Sequence, residues 1–201
     1  MADPWGQLHR DIEQCARCGL CGHIRNKVPG QGDPCARLML IGEGPGADED
    51  ARGLAFVGAA GQLLTRELKA IGFDREQVYI CNVVKCRPPQ NRVPLQEEMD
   101  ACMPFLARQL SLVRPRVVIL LGSTAAKAFF GPQARITAIR GKWFRKDDIY
   151  WMPTFHPAAL LRDETKKRPV WEDLKAVRRL LDRMAATEGR KEAPDGGKDK
   201  T

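Results

Sequence analysis

The sequence lacks any hydrophobic run long enough to cross a membrane. Its longest uninterrupted apolar run, Val117–Leu121, has the length of a strand and ends at Gly122, whereas a membrane-spanning helix needs roughly 18 apolar residues or more. The N-terminal residues also lack the basic stretch and the apolar stretch of a secretory signal. We therefore expect a cytoplasmic protein that does not span a membrane.

Acidic residues are too few to balance the basic ones. The chain of 201 residues has 33 Lys+Arg against 25 Asp+Glu, a formal charge of +8. Basic and acidic residues cancel within 188–201, so the whole excess lies within 1–187. Such a surface indicates a polyanionic partner such as nucleic acid, although a merely basic surface that aids solubility is the alternative. Because 188–201 has almost no apolar residues, we expect a disordered tail after a single domain at 1–187.

The pattern of apolar residues predicts an α/β fold. Strands are expected at 38–41, 78–84, 117–121 and 149–155, and helices at 62–71, 95–112, 123–130 (capped by Ser123) and 171–184. Strands that alternate with helices form a mainly parallel sheet with helices on both faces. Ligands of such folds bind beyond the carboxyl ends of the strands. Polar and glycine-rich segments follow these strands, so we expect the functional site at that edge.

No disulfide framework is expected from the seven cysteines, because the cytoplasm keeps thiols reduced. Cys15 and Cys18 form a CxxC pair, and Cys86 and Cys102 are placed to complete a site of four thiolates. Four thiolates fit either an iron-sulfur cluster or structural zinc, and the spacing leaves both open. Cys21 is a further ligand candidate or an ordinary thiol. The other two, Cys35 and Cys81, are predicted to be small buried hydrophobic residues.

The glycine-rich segment after the first strand, GEGPG at 42–46, lacks the Lys-Ser/Thr pair of a P-loop and does not match a dinucleotide-binding fingerprint. Taken with other motifs it is specific. The CxxC pair, GEGPG followed by ED at 49–50, FVG and GQLL at 56–64, NVVKCRPP with NR at 82–92, and HPAALLR at 156–162 together resemble the family 4 uracil-DNA glycosylases. The resemblance covers about 12–184.

This resemblance implies a three-layer α/β/α fold around a central four-stranded parallel sheet. It also implies hydrolytic removal of uracil from DNA and a structural 4Fe-4S cluster. The cluster ligands would be Cys15, Cys18, Cys86 and Cys102. A structural role is chemically sensible, because hydrolysis of a glycosidic bond moves no electrons.

The same resemblance assigns roles in uracil binding and catalysis. Asn82 would pair with uracil O4 and N3–H, Phe56 would stack on the flipped base, and the backbone of Gly42, Glu43 and Gly44 would border it. His156 would stabilise the departing uracil anion. We expect Glu49 to position the attacking water and Glu43 to shape the pocket around uracil C5.

Contacts with uracil-containing DNA are expected from 156–162, where Leu160 or Leu161 would fill the gap left by the flipped base and Arg162 would contact phosphate. Ser123, Arg87 and Arg92 are further candidates for phosphate contacts. A glycosylase for another deaminated base and a non-catalytic iron-sulfur module that binds DNA are the alternatives. We expect a monomer that turns over without bonding covalently to its product, because the His-bearing insertion of a covalently bonding relative is missing after Lys85.

Overall fold

The protein is described by a computed structural model that covers residues 3–192. Six strands form one sheet in the spatial order β1-β3-β2-β4-β6-β5. Their bounds are β1 Gln31–Gly32, β2 Leu38–Gly42, β3 Tyr79–Asn82, β4 Val117–Leu121, β5 Phe144–Lys146 and β6 Ile149–Thr154. The four central strands are parallel, as predicted, and the two short edge strands pair antiparallel. The expected four-stranded parallel sheet is therefore the core of a six-stranded sheet.

The helices lie between the strands in the expected order. Their bounds are α1 Pro4–Glu13, α2 Ala47–Arg52, α3 Ala59–Ala70, α4 Gln96–Val113, α5 Gly122–Phe130, α6 Ile136–Ile139, α7 Pro157–Arg162 and α8 Lys167–Glu192. Short 3-10 turns occur at Gly19–His23, Arg75–Gln77, Pro89–Asn91 and Glu164–Lys166. None of the helices in the described part of the chain combines the length and apolarity that a membrane crossing requires.

Both faces of the sheet are buried, which makes the three layers of the predicted α/β/α fold. Along β2, Met39 and Ile41 point to a core formed with α1, α4 and α5. The alternate residues Leu38 and Leu40 point to a second core formed with α3, α7 and α8. Each fully buried Leu of this kind stabilises the fold by about 1.5–3 kcal/mol. The continuous apolar runs of β2 and β4 are typical of strands covered on both faces.

The C-terminal helix is longer than predicted. We expected it to end at 184 and the disordered tail to begin at 188, but α8 continues to Glu192. Glu188 forms salt bridges of 3.2 Å with Arg37 and 3.3 Å with Arg116. The tail prediction is therefore wrong for 188–192, and 193–201 lie outside the described residues.

Ser123 is also not a cap: α5 begins at Gly122 after Leu121, without a side-chain hydrogen bond at its N-cap.

Strand order places a crevice at the carboxyl end of β2. From β2 the chain moves to β3 on one side and then returns to β4 on the other. The loops that leave the ends of these strands consequently diverge, and in open α/β sheets the resulting crevice holds the ligand. The chain segments after β2, β3, β4 and β6 all open onto this edge.

Candidate active site

A cleft of about 680 Å³ opens at the carboxyl ends of the four parallel strands. This volume is within the usual range for small-molecule sites. Each strand end supplies one predicted residue to the lining: Glu43 after β2, Asn82 at the end of β3, Ser123 after β4 and His156 after β6. Residues far apart in the sequence thus meet in one site because parallel strands end at the same edge.

Asn82 carries an unpaired acceptor. Its side chain is 1% exposed, and its Oδ1 atom has no hydrogen-bond partner in the structure. A buried unpaired acceptor costs about 1–3 kcal/mol, so the site is built to receive a hydrogen bond from a ligand. Gly42 lies directly behind it: a Cβ there would clash with Asn82 Oδ1 and lie 2.5 Å from Phe56 Cζ. Glycine at 42 thus leaves room for the carboxamide and the ring.

Phe56 forms an aromatic wall of the cleft. It adopts a φ of 51°, which is unusual for a residue with a bulky side chain, and it is 6% exposed. A Cβ on Gly61 of α3 would clash with the Phe56 backbone, so glycine lets the helix pack directly against this turn. The ring centroid lies 5.6 Å from that of His156, with an angle of 31° between the planes. Two flat side chains therefore stand together at the cleft.

His156 is held as a neutral hydrogen-bond donor. Its Nδ1 atom accepts the Ala158 backbone N–H at 3.1 Å, which leaves the proton of the neutral ring on Nε2. Burial, and secondarily the positive charge of Arg162, lower the pKa of His156 from 6.5 to about 4. The imidazole is consequently uncharged near pH 7.

Two carboxylates line the same cleft with different partners. Glu49 accepts three backbone N–H groups: Gly46 at 3.0 Å on Oε2, and Val57 and Gly58, both at 2.8 Å, on Oε1. It therefore joins the start of α2 to the turn that carries Phe56. Glu43 instead accepts a hydrogen bond from the buried hydroxyl of Thr124.

A second pocket is lined by cysteines. Cys15, Cys18, Cys86 and Cys102 all line it, as predicted, and Cys21 joins them. Among the residues that the structure describes, no three metal-ligating side chains are arranged to hold a single ion. The thiols thus surround a cavity.

Packing thiols together makes their ionised forms unfavourable. Burial, followed by the neighbouring thiols, raises the pKa of Cys86 to about 12, and burial also raises the pKa of Cys102. Thiolates in this cavity need a cationic group between them, which fits a metal cluster as the occupant. In addition, the Lys85 backbone N–H donates to Cys102 Sγ at 3.3 Å, a hydrogen bond of the kind that tunes iron-sulfur clusters.

Comparison with known proteins assigns the family. A family model described as the uracil DNA glycosylase superfamily matches residues 29–175. A protein of Sulfurisphaera tokodaii named Type-4 uracil-DNA glycosylase is 41% identical over 187 residues, covering 89% of this chain and 85% of its own. Proteins with the same name from Thermotoga maritima and Archaeoglobus fulgidus are 43% and 40% identical, covering 85% and 89% of this chain and 91% and 94% of their own.

The chain belongs to the type-4 uracil-DNA glycosylases. The resemblance read from its motifs is confirmed. Within this type-4 chain, the residues predicted to bind uracil and to act in catalysis lie at one cleft, except that Gly42 lies behind its wall instead of lining it.

The two neighbouring leucines of the type-4 HPAALLR segment differ completely. Leu160 is fully buried in the core beneath α7, so the prediction that it fills a gap in DNA is wrong. Leu161 is 49% exposed and remains available for that role. Arg162 is exposed at the cleft, as is Ser123.

The two other arginines predicted to contact phosphate are already engaged with protein groups. Arg92 lines the cleft, but its guanidinium donates to both carboxylate oxygens of Glu98 at 2.8 and 2.6 Å. Arg87 does not line the cleft, and its Nε atom donates to Asn91 at 2.8 Å. Both residues thus shape the loop at 87–92 of this type-4 chain.

Several site residues were not predicted from the sequence. Lys166, Phe155 and Val93 line the cleft. The buried carboxylate of Asp50 accepts the backbone N–H of Arg25 at 2.9 Å, joining the N-terminal segment to α2.

Cys35, predicted to be buried, is exposed, whereas Cys81 is buried as expected.

Proposed function

We propose that the protein removes uracil from DNA by hydrolysing the bond between uracil N1 and the deoxyribose C1′, as a base excision repair enzyme. The products are free uracil and an abasic site. The observation that carries the proposal is the buried, unpaired Oδ1 of Asn82 in a cleft of a type-4 family member. A glycosylase must take the target nucleotide out of the base stack, and the cleft offers a site for the flipped base.

The carboxamide of Asn82 selects uracil over cytosine. Its Oδ1 accepts the uracil N3–H and its Nδ2 donates to O4, which supplies the missing partner of the buried acceptor. Cytosine presents an amino donor and an unprotonated N3 at the same positions, so both hydrogen bonds would be lost. Phe56 stacks on the base, and Glu43, fixed by Thr124, limits the space around C5, where thymine carries a methyl group.

The neutral His156 stabilises the leaving group. When the C1′–N1 bond breaks, its electron pair moves onto uracil, and the resulting anion accepts a hydrogen bond from Nε2–H at O2. The Ala158 amide fixes the ring so that this proton is available. The backbone N–H groups of Glu43 and Gly44 add further donors at the same edge.

Glu49 positions the attacking water. The Gly46 N–H uses one acceptor site of Oε2, and a carboxylate oxygen can accept a second hydrogen bond, here from water. The water oxygen bonds to C1′ as uracil leaves, and its proton passes to the carboxylate and then to solvent. The negative charge of Glu49 also stabilises the positive charge that develops on the sugar.

Uracil-containing DNA binds across the open side of the cleft. Leu161 fills the gap left by the flipped nucleotide, while Arg162 and Ser123 contact phosphates at the rim. Arg87 and Arg92 act mainly by holding the loop at 87–92 against the DNA strand whose nucleotide is flipped. Because the chain carries a net charge of +8, affinity for DNA falls steeply as the salt concentration rises.

The cysteine cavity holds a 4Fe-4S cluster through Cys15, Cys18, Cys86 and Cys102. Four predicted ligands that line one cavity, in a chain that belongs to the type-4 glycosylases, support a cluster over a single zinc ion. When bound, the cluster would supply the cations that the four thiolates, two of them buried, need. The thiolates join the N-terminal segment to α4 and the end of β3, and the role is structural.

We further propose that the protein acts as a monomer in the cytoplasm.

The test is excision from a labelled oligonucleotide that contains one uracil, beside matched oligonucleotides with thymine or hypoxanthine. We expect strand cleavage that requires subsequent alkali and is confined to the uracil strand. Cleavage only at hypoxanthine would show that the protein is a glycosylase for another deaminated base. Binding without cleavage of either, by protein with a full cluster, would indicate a DNA-binding module. Broad absorption near 400 nm is expected, and a colourless protein that contains zinc would overturn the cluster.

A further inference from the structure

Lys85 is a buried cation that the proposed chemistry does not use. It is 2% exposed and is among the largest fully buried side chains of the described residues. Its Nζ atom donates to the Asn82 backbone carbonyl at 2.7 Å and to Gln109 Oε1 at 2.6 Å. Both acceptors are uncharged. Burying an ammonium group without an anionic partner costs several kcal/mol, so the fold should place negative charge nearby.

That negative charge is available in the cysteine cavity. Lys85 lines the cavity, its backbone N–H donates to Cys102 Sγ at 3.3 Å, and it is peptide-bonded to Cys86. A 4Fe-4S cluster held by four thiolates has a net negative charge in its usual oxidation states. The ammonium and such a cluster would therefore compensate each other inside the protein.

The backbone of Lys85 contacts the cavity, and the end of its side chain reaches the uracil-binding strand. The hydrogen bond to the carbonyl of Asn82 restrains the backbone that carries the recognition carboxamide. Gln109 is itself fixed, because its Nε2 atom donates to the Pro29 carbonyl at 2.6 Å and to Tyr79 Oη at 2.9 Å. Lys85 thus has a defined position between the two sites.

We propose that Lys85 is a positioning residue that compensates the charge of the cysteine-held cluster and ties the end of β3 so that Asn82 is set for uracil. The second half of the proposal rests on the proposed uracil excision, and the first half rests on the proposed cluster. The first half, charge compensation, concerns the cluster and is tested without any substrate.

Three holoprotein variants separate the two roles. Lys85→Met removes both the charge and the hydrogen bonds, whereas Lys85→Gln removes the charge and keeps a donor group. Lys27→Gln is the matched control, because Lys27 lines the same cavity but donates to the carbonyls of Glu13 and Cys15 and does not contact Asn82. Charge compensation is measured as the rate of iron release to a chelator, followed near 400 nm. The tether is measured as the inhibition constant of free uracil, together with the single-turnover excision rate.

We expect Lys85→Met to release iron about 10-fold faster or more and to bind uracil about 10-fold more weakly, as is usual for loss of an outer-shell partner. Lys85→Gln should release iron as fast as Lys85→Met but retain more of the uracil affinity. Lys27→Gln also removes a positive charge from the cavity lining, so it should speed iron release but leave the uracil affinity within about twofold of the unchanged protein.

Unchanged iron release in both Lys85 variants would overturn the charge role. Equal uracil affinity in Lys85→Met and the unchanged protein would overturn the tether, as would a Lys85→Gln protein that binds uracil as weakly as Lys85→Met. If Lys85→Met does not fold, Lys85→Gln tests the charge role, and Gln109→Leu, which removes one Lys85 partner but keeps the charge, should weaken uracil binding without speeding iron release. Failure of the unchanged protein to excise uracil would refute the proposed function and leave the iron-release comparison valid.

Discussion

The cleft lies at the carboxyl edge of the sheet, the cysteine cavity lies beside the core on one face of it, and the two are stabilised differently. Phe56 belongs to the core that contains α3 and α8, whereas Cys86 and Cys102 belong to the core that contains α1 and α4. The cleft is ordered by hydrogen bonds within the protein, such as those that Glu49 and His156 accept from backbone amides. The cavity instead brings together thiols that resist ionisation. The cleft is therefore preorganised by the sheet, while the cavity depends on its occupant.

The sharpest test of the cleft is Asn82→Leu, which keeps the approximate volume and removes both hydrogen-bonding groups. We expect the single-turnover excision rate to fall about 1,000-fold, or about 4 kcal/mol, since a polar group that matches only uracil is lost. Affinity for DNA with an abasic site should change little, because the phosphate contacts remain. An excision rate within about threefold of the unchanged protein would remove Asn82 from base recognition.

The cavity is tested by Cys86→Ser, with Cys35→Ser as the matched control. Loss of one thiolate should abolish most absorption near 400 nm and lower the free energy of unfolding by about 3 to 4 kcal/mol, which lowers the Tm by about 10 °C. Cys35 is exposed and lies outside the cavity, so its replacement should leave colour and Tm unchanged. If Cys86→Ser keeps the colour and stability of the unchanged protein, Cys86 is not a ligand of the cluster.

A pH titration compares the protonation of His156 in the folded cleft with its protonation in the unfolded chain. The pKa of His156 is about 4 in the folded protein, below the ordinary 6.5, so the unfolded chain takes up the proton first as pH falls. His156 should therefore cost up to about 3 kcal/mol of stability between pH 6.5 and 4 and make no difference above pH 7.

The measurement is the free energy of unfolding against pH for the unchanged protein and for His156→Gln. The difference between the two curves should slope only below pH 6.5. A flat difference would mean that the folded protein does not hold the ring in its neutral form.

The smallest expected effect in this series is that of Leu161, and its neighbour Leu160 provides the comparison. Leu161→Ala should slow excision from duplex DNA about 10-fold, or about 1.4 kcal/mol, and leave excision from single strands and the Tm unchanged. Leu160→Ala should do the opposite: it should lower the free energy of unfolding by about 2–5 kcal/mol and preserve the ratio of duplex to single-strand activity. Exchange of these two outcomes would show that α7 turns its other face to the core.

The sequence predicted the parts of the fold that have a strong apolar pattern. The runs at β2 and β4 identified central strands because both faces of each are buried. The edge strands were missed because two or three residues, such as Gln31–Gly32, show no alternation. Leu160 and Leu161 could not be separated, because a helix turns about 100° per residue and a six-residue helix is too short to show a periodic face.

The motifs predicted the site residues better than their contacts. Asn82, Phe56 and His156 were placed correctly at one edge because parallel strands end together. The engagement of Arg92 by Glu98 and the link from Asp50 to Arg25 were not foreseeable, because such pairing depends on how loops pack. The burial of Lys85 was not predicted either, because in the sequence it is one more basic residue.

The salt bridges of Glu188 have a practical consequence for handling the protein. Arg37 and Arg116 precede β2 and β4, so they mark the edge of the sheet opposite the cleft. Helix α8 has 26 residues and begins just after Lys166 of the cleft lining, so it carries the chain about 39 Å away. A fluorescent label or surface tether attached beside Glu188 would therefore lie on the far side and keep the cleft open to DNA.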